Sequence, residues 1–388
     1  MILIKALSAA SFAASAGLWA CLAASARHFQ GAPDEPCRLP MTLIKPVKGL
    51  DDEMAASFES IVAADPLNTL QVIVAMESAE DPAFAVAGTF RDAHPGRDIS
   101  VVVTGPAGAR MGKAHNMIVA LDSAKHRFVL FSDADTRMSA PLLADAARAF
   151  SAGADAVYAM PYHAQAVDSG GWWFMIAFNH AFCVPVALSY RVGQLRSFAG
   201  AFMGYTREAL ARAGGLDVVA HAIADDLSLG LAARSAGARQ ELLRVPVRVS
   251  ETGTAPREVF AHLAKWASIV CWTYPAVWLI APLFNPTLLA AAALAAAGLR
   301  SRGLALPGAA LAAALASRVV VAWLQDRRLA GYRLGVWAYW RLLVADLGAL
   351  LFYVLGLRSE VEWRGRRYRL FLGGRCEVVA VGEGATKL

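Results

Sequence analysis

Two carboxylates one residue apart, Asp133 and Asp135, stand at the end of a short apolar run, Phe128, Val129, Leu130 and Phe131. The run reads as a buried parallel strand, so both side chains fall just past its C-terminal end. That edge is where open α/β sheets bind ligands. Two hard oxygen donors on one loop could grip a divalent cation, and the cation a diphosphate. The same residues also suit a solvated turn or a helix N-cap. A second acidic pair, Asp225 and Asp226, opens a predicted helix further on. Charges this close can raise one pKa of the pair, while two carboxylates capping a helix start are the plainer alternative.

The elements that must hold these residues alternate. Residues 41–44, 70–75 and 99–103 read as strands, and 52–63, 82–93 and 113–121 as helices leading into the strand at 128–131. Short loops between them imply a parallel sheet with helices on both faces. Residues 141–158 add a helix and a strand. The pattern then breaks at 171–190, which is aromatic (Trp172, Trp173, Phe174, Phe178, Phe182) and interrupted by Asn179, His180 and Pro185. Polar groups at mid-membrane are costly, so an interfacial insert is expected there. A returning strand at 197–205, a helix at 207–213 closed by Gly214 and Gly215, and a strand at 242–249 complete the soluble part.

The chain has 388 residues, 57% hydrophobic and 18% charged, with a mean hydropathy of +0.44. Part of it is expected in lipid. The net charge of +6 and pI near 9.2 reside beside apolar segments, which fits an anionic membrane surface rather than nucleic acid. Cys21, Cys37, Cys183, Cys271 and Cys376 are scattered, so neither a disulfide framework nor a zinc site is expected.

Residues 1–28 read as an N-terminal transmembrane anchor, with a cleaved signal peptide as the competing reading, and 31–40 as a linker. A sheet domain at 40–252 follows, then interfacial helices at 256–280, transmembrane helices within 281–358 and a basic tail at 359–388. The late spans are 283–299, 304–324 and 334–357. Three crossings would strand the basic tail on the side opposite the sheet domain, against the positive-inside tendency. One of them is therefore expected to be re-entrant or interfacial, and Arg341 with Asp346 makes the last the weakest.

Six motifs stand in order along the chain: residues 44–51 (Ile-Lys-Pro-Val-Lys-Gly-Leu-Asp), 80–83 (Glu-Asp-Pro-Ala), 113–116 (Lys-Ala-His-Asn), 132–135 (Ser-Asp-Ala-Asp), 224–226 (Ala-Asp-Asp) and the tail from Trp363 to Leu370. In order and spacing they resemble the ceramide glucosyltransferase family, inverting enzymes that use a nucleotide sugar on a membrane lipid. The resemblance implies a Rossmann-like GT-A nucleotide-sugar domain, α/β with a mixed, mainly parallel sheet, flanked by transmembrane or interfacial helices. It places uracil recognition on Asp81, whose other reading is an N-cap before Pro82. Lys48 is drawn into the donor site as well. Lys113 and Asn116, one helical turn apart, would meet phosphate or uridine, or form a solvated surface pair. The metal, Mg²⁺ or Mn²⁺, falls on Asp133 with Asp135 as the less secure ligand. The base that deprotonates the acceptor hydroxyl falls on Asp226, with Asp225 as its rival.

The fourth element departs from the related pattern of Gln or Arg, two variable residues and Arg-Trp. Here His262, Lys265 and Trp266 occupy it. Lysine keeps the charge for a diphosphate without the guanidinium fork. His180 matches an acceptor-site histidine by its place in the aromatic insert, although a lone histidine among apolar residues is commonly a packing residue. The implied partners are a UDP-sugar and a membrane lipid, ceramide first, with a hopanoid polyol as rival and a polysaccharide synthase as a further alternative. The implied location is multi-pass in a bacterial-type inner membrane with the catalytic domain cytoplasmic.

Overall fold

The computed structural model describes the chain except residues 32, 34, 52, 164–165, 167, 194–199, 250–254, 301–302, 330–334 and 382–388. Its centre is built from β1 (Met41–Pro46), β2 (Leu70–Met76), β3 (Asp98–Val103) and β4 (Phe128–Ser132). Every residue of β1 and β2 is buried, as continuous apolar runs in a covered parallel sheet require. The chain continues through β5 (Thr136–Arg137), β6 (Ala156–Tyr158), β7 (Pro161–His163), β8 (Phe202–Thr206), β9 (Gln240–Leu242) and β10 (Val247–Val249). One sheet runs β3-β2-β1-β4-β8-β6-β9, parallel except at β8, which is antiparallel to both neighbours. A second, β5-β10-β7, lies beside it.

The predicted strand at 242–249 is therefore two strands in two sheets. Leu243 N donates to Tyr158 O (2.7 Å) and Val247 N to Met160 O (2.9 Å), so the chain changes partner between them. The returning strand begins at Phe202, and the start expected for it at 197 lies outside the described residues.

The basic tail is a third sheet. β11 (Glu360–Trp363), β12 (Arg366–Leu370) and β13 (Cys376–Val381) form an antiparallel meander in which Arg366, Tyr368 and Leu370 face inward. It docks on the sheet domain: Cys376 N donates to His221 O (2.7 Å), and Ile223 N donates to Gly374 O (3.1 Å). Any full crossings between Pro256 and Arg358 are consequently even in number, which removes the conflict of sides raised by the sequence.

Helices Ile2–His28, Ala305–Leu329 and Val336–Leu355, and the segment Ser169–Arg191, are long and apolar enough to cross a membrane. Pro256–Thr273 and Pro275–Phe284 meet at 114°, the geometry of a broken span or a re-entrant loop. The span expected at 283–299 contains only the 13-residue helix Pro286–Gly298. Its rise of about 20 Å falls short of a hydrocarbon core of about 30 Å. The last segment is less compromised than its charges imply. Asp346 accepts from Arg318 Nε (3.0 Å) and Nη2 (2.6 Å) and from Thr287 Oγ1 (2.7 Å), so three helices share one satisfied ion pair. Arg341 lies against Trp173 and Trp340.

The aromatic insert is corrected in the same way. Asn179 exchanges two hydrogen bonds with the backbone of His163, at 3.1 and 2.8 Å, and the helix loosens into a π-turn at Phe178–Phe182 around it. With its polar groups partnered inside, the segment meets the length and composition of a span.

Arg318→Met would leave Asp346 buried with one hydroxyl partner, and about 3–5 kcal/mol of stability is expected to be lost. Detergent-solubilised protein should show this as a lowered melting temperature. Adding Asp346→Leu should restore most of it, because the orphaned charge is then gone.

Candidate active site

Lys45 sits inside β1 with no exposed surface, an unusual residue in an apolar strand. β1 pairs with β4, so its ammonium emerges beneath the loop that carries the acidic pair. It donates to Asp133 O (2.6 Å), Thr136 Oγ1 (3.2 Å) and Ser132 Oγ (3.4 Å), which fixes the shape of that loop. Burial pulls its pKa down to about 8, against the raising effect of Asp135, Asp133 and Asp51. In the sequence this lysine lies within the motif at 44–51 with no signal of its own for this role.

Above the loop, Lys113 in the helix Gly112–Leu121 joins the two acidic pairs. Its Nζ lies 2.8 Å from Asp133 Oδ1 and 3.1 Å from Asp225 Oδ2. Burial opposes its charge, but Asp133, Asp225 and Asp226 outweigh that and hold its pKa above the usual lysine range. Asp225 and Asp226 are the first residues of the helix Asp225–Ser235, and its N-cap, Ala224, makes no side-chain bond. Neither aspartate is therefore the cap. Both lie in the first turn, where the helix dipole favours negative charge.

The two differ in environment. Asp225 is 2% exposed and held by Lys113. Asp226 accepts from Leu227 N (2.7 Å), and its carboxyl is pushed up to about 7, by burial first and then by Asp225. Gly200 closes the arrangement: a Cβ there would stand 3.0 Å from Lys113 Nζ and 3.1 Å from Asp226 Cβ. A glycine next to a segment with no motif of its own offered the sequence no signal.

Asp135 is likewise raised to about 7, by burial and then by Asp133 and Asp51. Three carboxylates whose charges act on one another are hard oxygen donors suited to a divalent cation. Among the described residues no group of three or more such side chains already has metal-binding geometry. Asp133 and Asp135 are the residues chemically fitted to begin one.

Other expected residues have protein partners of their own. Asp81 caps the helix Pro82–Ala93 through Ala83 N (2.9 Å) and also accepts from Gly49 N (3.0 Å), where the backbone turns at φ +69°. Lys48 reaches Glu77 (3.4 Å), which also pairs with Arg366 (2.5 Å). Asn116 and Lys113 do not act together: Asn116 is 2% exposed, accepts from Thr104 Oγ1 (2.6 Å) and donates to Val47 O (3.4 Å). His180 is 1% exposed and pairs with Asp326 (3.2 Å), whose carboxylate also accepts from the hydroxyls of Tyr162 and Tyr339. This ties the insert to the helix Ala305–Leu329, so the structure makes His180 a buried packing residue.

Trp266 forms an aromatic wall with Phe174, Phe178 and Phe182, at centroid distances of 5.3, 5.3 and 5.6 Å. His262 stacks edge-on to it at 4.5 Å. Lys265 points away from that wall, to the ring of Trp363 at 4.7 Å. The helix Pro256–Thr273 thus presents a greasy surface and a cation from neighbouring residues.

Residues 4–376 match the family described as Glycosyl transferase family 21. Ceramide glucosyltransferase 1 of Caenorhabditis elegans is 23% identical over 262 residues, 66% of this chain and 55% of that protein. The chain thus spans about half the length of that curated relative. Among solved structures, the mannosyltransferase PcManGT from Pyrobaculum calidifontis, in complex with GDP-Man and Mn²⁺, is 21% identical. The match covers 92% of this chain and 98% of that one with a TM-score of 0.50, which shows a GT-A-like fold.

Proposed function

The chain belongs to Glycosyl transferase family 21, and from that premise we propose that it is an inverting glycosyltransferase. It moves a hexose, glucose or N-acetylglucosamine, from a UDP-sugar to a hydroxyl of a membrane lipid, ceramide in the first place. The observation that carries the reading is the convergence of Asp133, Asp225 and Asp226 on one lysine, Lys113. The aromatic wall around Trp266, on a helix of the apolar C-terminal region, supports a lipid as acceptor.

Inversion requires a carboxylate to take the proton of the acceptor hydroxyl as its oxygen attacks the anomeric carbon. Asp226 is that base. Its carboxyl near 7 gives it proton affinity at neutral pH, whereas Asp225 is neutralised by Lys113 and positions it. Lys265 faces the donor diphosphate. Asp133 and Asp135 would hold Mg²⁺ or Mn²⁺, which supplies positive charge against the departing diphosphate when bound. Asp81 and Lys48 line the nucleoside end of the donor site. The helices anchor the protein as a multi-pass membrane enzyme with its sheet domain in the cytoplasm.

Membranes incubated with labelled UDP-sugars should yield a chloroform-soluble product. A polymer, or no product, would overturn the reading. Mass spectrometry of lipids from a deletion strain identifies the acceptor as ceramide or as another lipid. Gly200→Ala should lower kcat about 10- to 100-fold with the fold intact, since the new methyl displaces Lys113 and Asp226 together. Unchanged kcat would detach Gly200 from the site.

A further inference from the structure

The turn between β11 and β12 carries Arg364, whose φ of +48° is a left-handed conformation that non-glycine residues seldom adopt. Its guanidinium lies 2.8 Å from Asp51 Oδ1, 313 residues away in sequence. Arg366, on the next strand, is 6% exposed at its side chain and anchors the turn through Glu77 at 2.5 Å. The turn is thus held against the sheet domain from both sides. Trp363, on the other flank, is the ring that Lys265 covers. Two cations from remote segments, Lys265 and Arg364, lie close enough to act on each other electrostatically. Among the described residues Lys265 has no carboxylate within ion-pair distance. Arg364 also feels Asp135 and Asp133 besides Asp51, so it lies at the rim of the acidic loop.

Arg364 at the rim of the acidic loop, and Lys265 over the neighbouring ring of Trp363, offer positive charge suited to a dianion that neither Asp51 nor the indole supplies. We propose that Arg364, carried by the C-terminal sheet, is a donor-binding residue that exchanges Asp51 for the diphosphate of the incoming nucleotide, closing a two-cation clamp with Lys265. The inference rests on the nucleotide-sugar reading above and extends it to a residue outside the sheet domain. A guanidinium suits the task because it offers a fork of donors to phosphate oxygens, complementing the single point of charge of a lysine. Its pairing with Asp51 keeps it ordered at the rim before the donor arrives.

The test is calorimetric titration of UDP and of uridine into the detergent-solubilised full chain. Arg364→Gly fits the left-handed turn without strain and removes the side chain, guanidinium included, so its melting temperature should stay near that of the parent. Its affinity for UDP should fall about 10- to 100-fold while its affinity for uridine is unchanged. Arg364→Lys should recover part of the loss, and Asp51→Asn should bind UDP at least as tightly as the parent. Equal UDP affinity in Arg364→Gly and the parent, or equal losses for UDP and uridine, would overturn the proposal and leave the donor reading standing. Failure of the parent chain to bind UDP at all would instead remove the donor reading, and this proposal with it.

Discussion

Asp226→Asn is expected to lower kcat for lipid glycosylation by a factor of about 10² to 10⁴, the contribution of a positioned general base. Asparagine keeps the size of the side chain and can still accept from Leu227 N, so the helix start should survive. UDP affinity should change little, because the diphosphate is held by other groups. The parent enzyme should show an acidic limb in kcat/KM near pH 7, since burial and Asp225 raise the Asp226 carboxyl to about 7 and only the ionised form accepts a proton. Asp225→Asn should move this limb to lower pH by removing the neighbouring charge. Substantial turnover in Asp226→Asn, or a limb that ignores Asp225→Asn, would dismiss Asp226 as the base.

The same shift has the opposite sign for stability. A carboxyl whose folded pKa lies above its unfolded value near 3.8 is better protonated in the fold. Its ionisation therefore weakens the fold progressively as pH rises from about 4 to 7. Asp135 behaves alike, at about 7 for the same two reasons of burial and neighbouring charge. Activity is thus gained over a pH range in which the site becomes less stable. A divalent cation held by Asp133 and Asp135 would offset that cost.

The acidic loop was legible because its signal is local: an apolar strand that ends on carboxylates needs no distant contact to be seen. Asp225 and Asp226 at a helix start were legible for the same reason. Lys45 announces itself as a charge within an apolar strand, but its partner depends on strand order, since only the adjacency of β1 and β4 puts it under Asp133. Arg364 and Asp51 meet across almost the whole chain, and no pattern within either segment forecasts that. The tail strand β12 does alternate inward and outward, yet its inward positions begin with an arginine, so composition hid a strand that periodicity would have shown. The polar residues read as arguments against membrane spans, Asn179, His180 and Asp346, find partners on other elements, and burial becomes tolerable only once those elements pack.

Lys113→Met separates the roles of the charges more sharply than any carboxylate variant. The ammonium is shared by Asp133 and Asp225, and it also pulls the Asp226 carboxyl downward. Its removal should cost about 3–5 kcal/mol at pH 8 through the buried Asp225, with less from Asp133, which water reaches. Transfer should fall at least about 10²-fold, because the base and the acidic loop lose their common brace. The residual rate should show an acidic limb shifted to higher pH, since the charge that opposed protonation of Asp226 is gone. Lys113→Arg keeps the charge in a different shape and should return the limb toward 7 without restoring the full rate. A limb that stays near 7 in Lys113→Met would mean that the lysine does not govern the base, and that the acidic pairs act as separate sites.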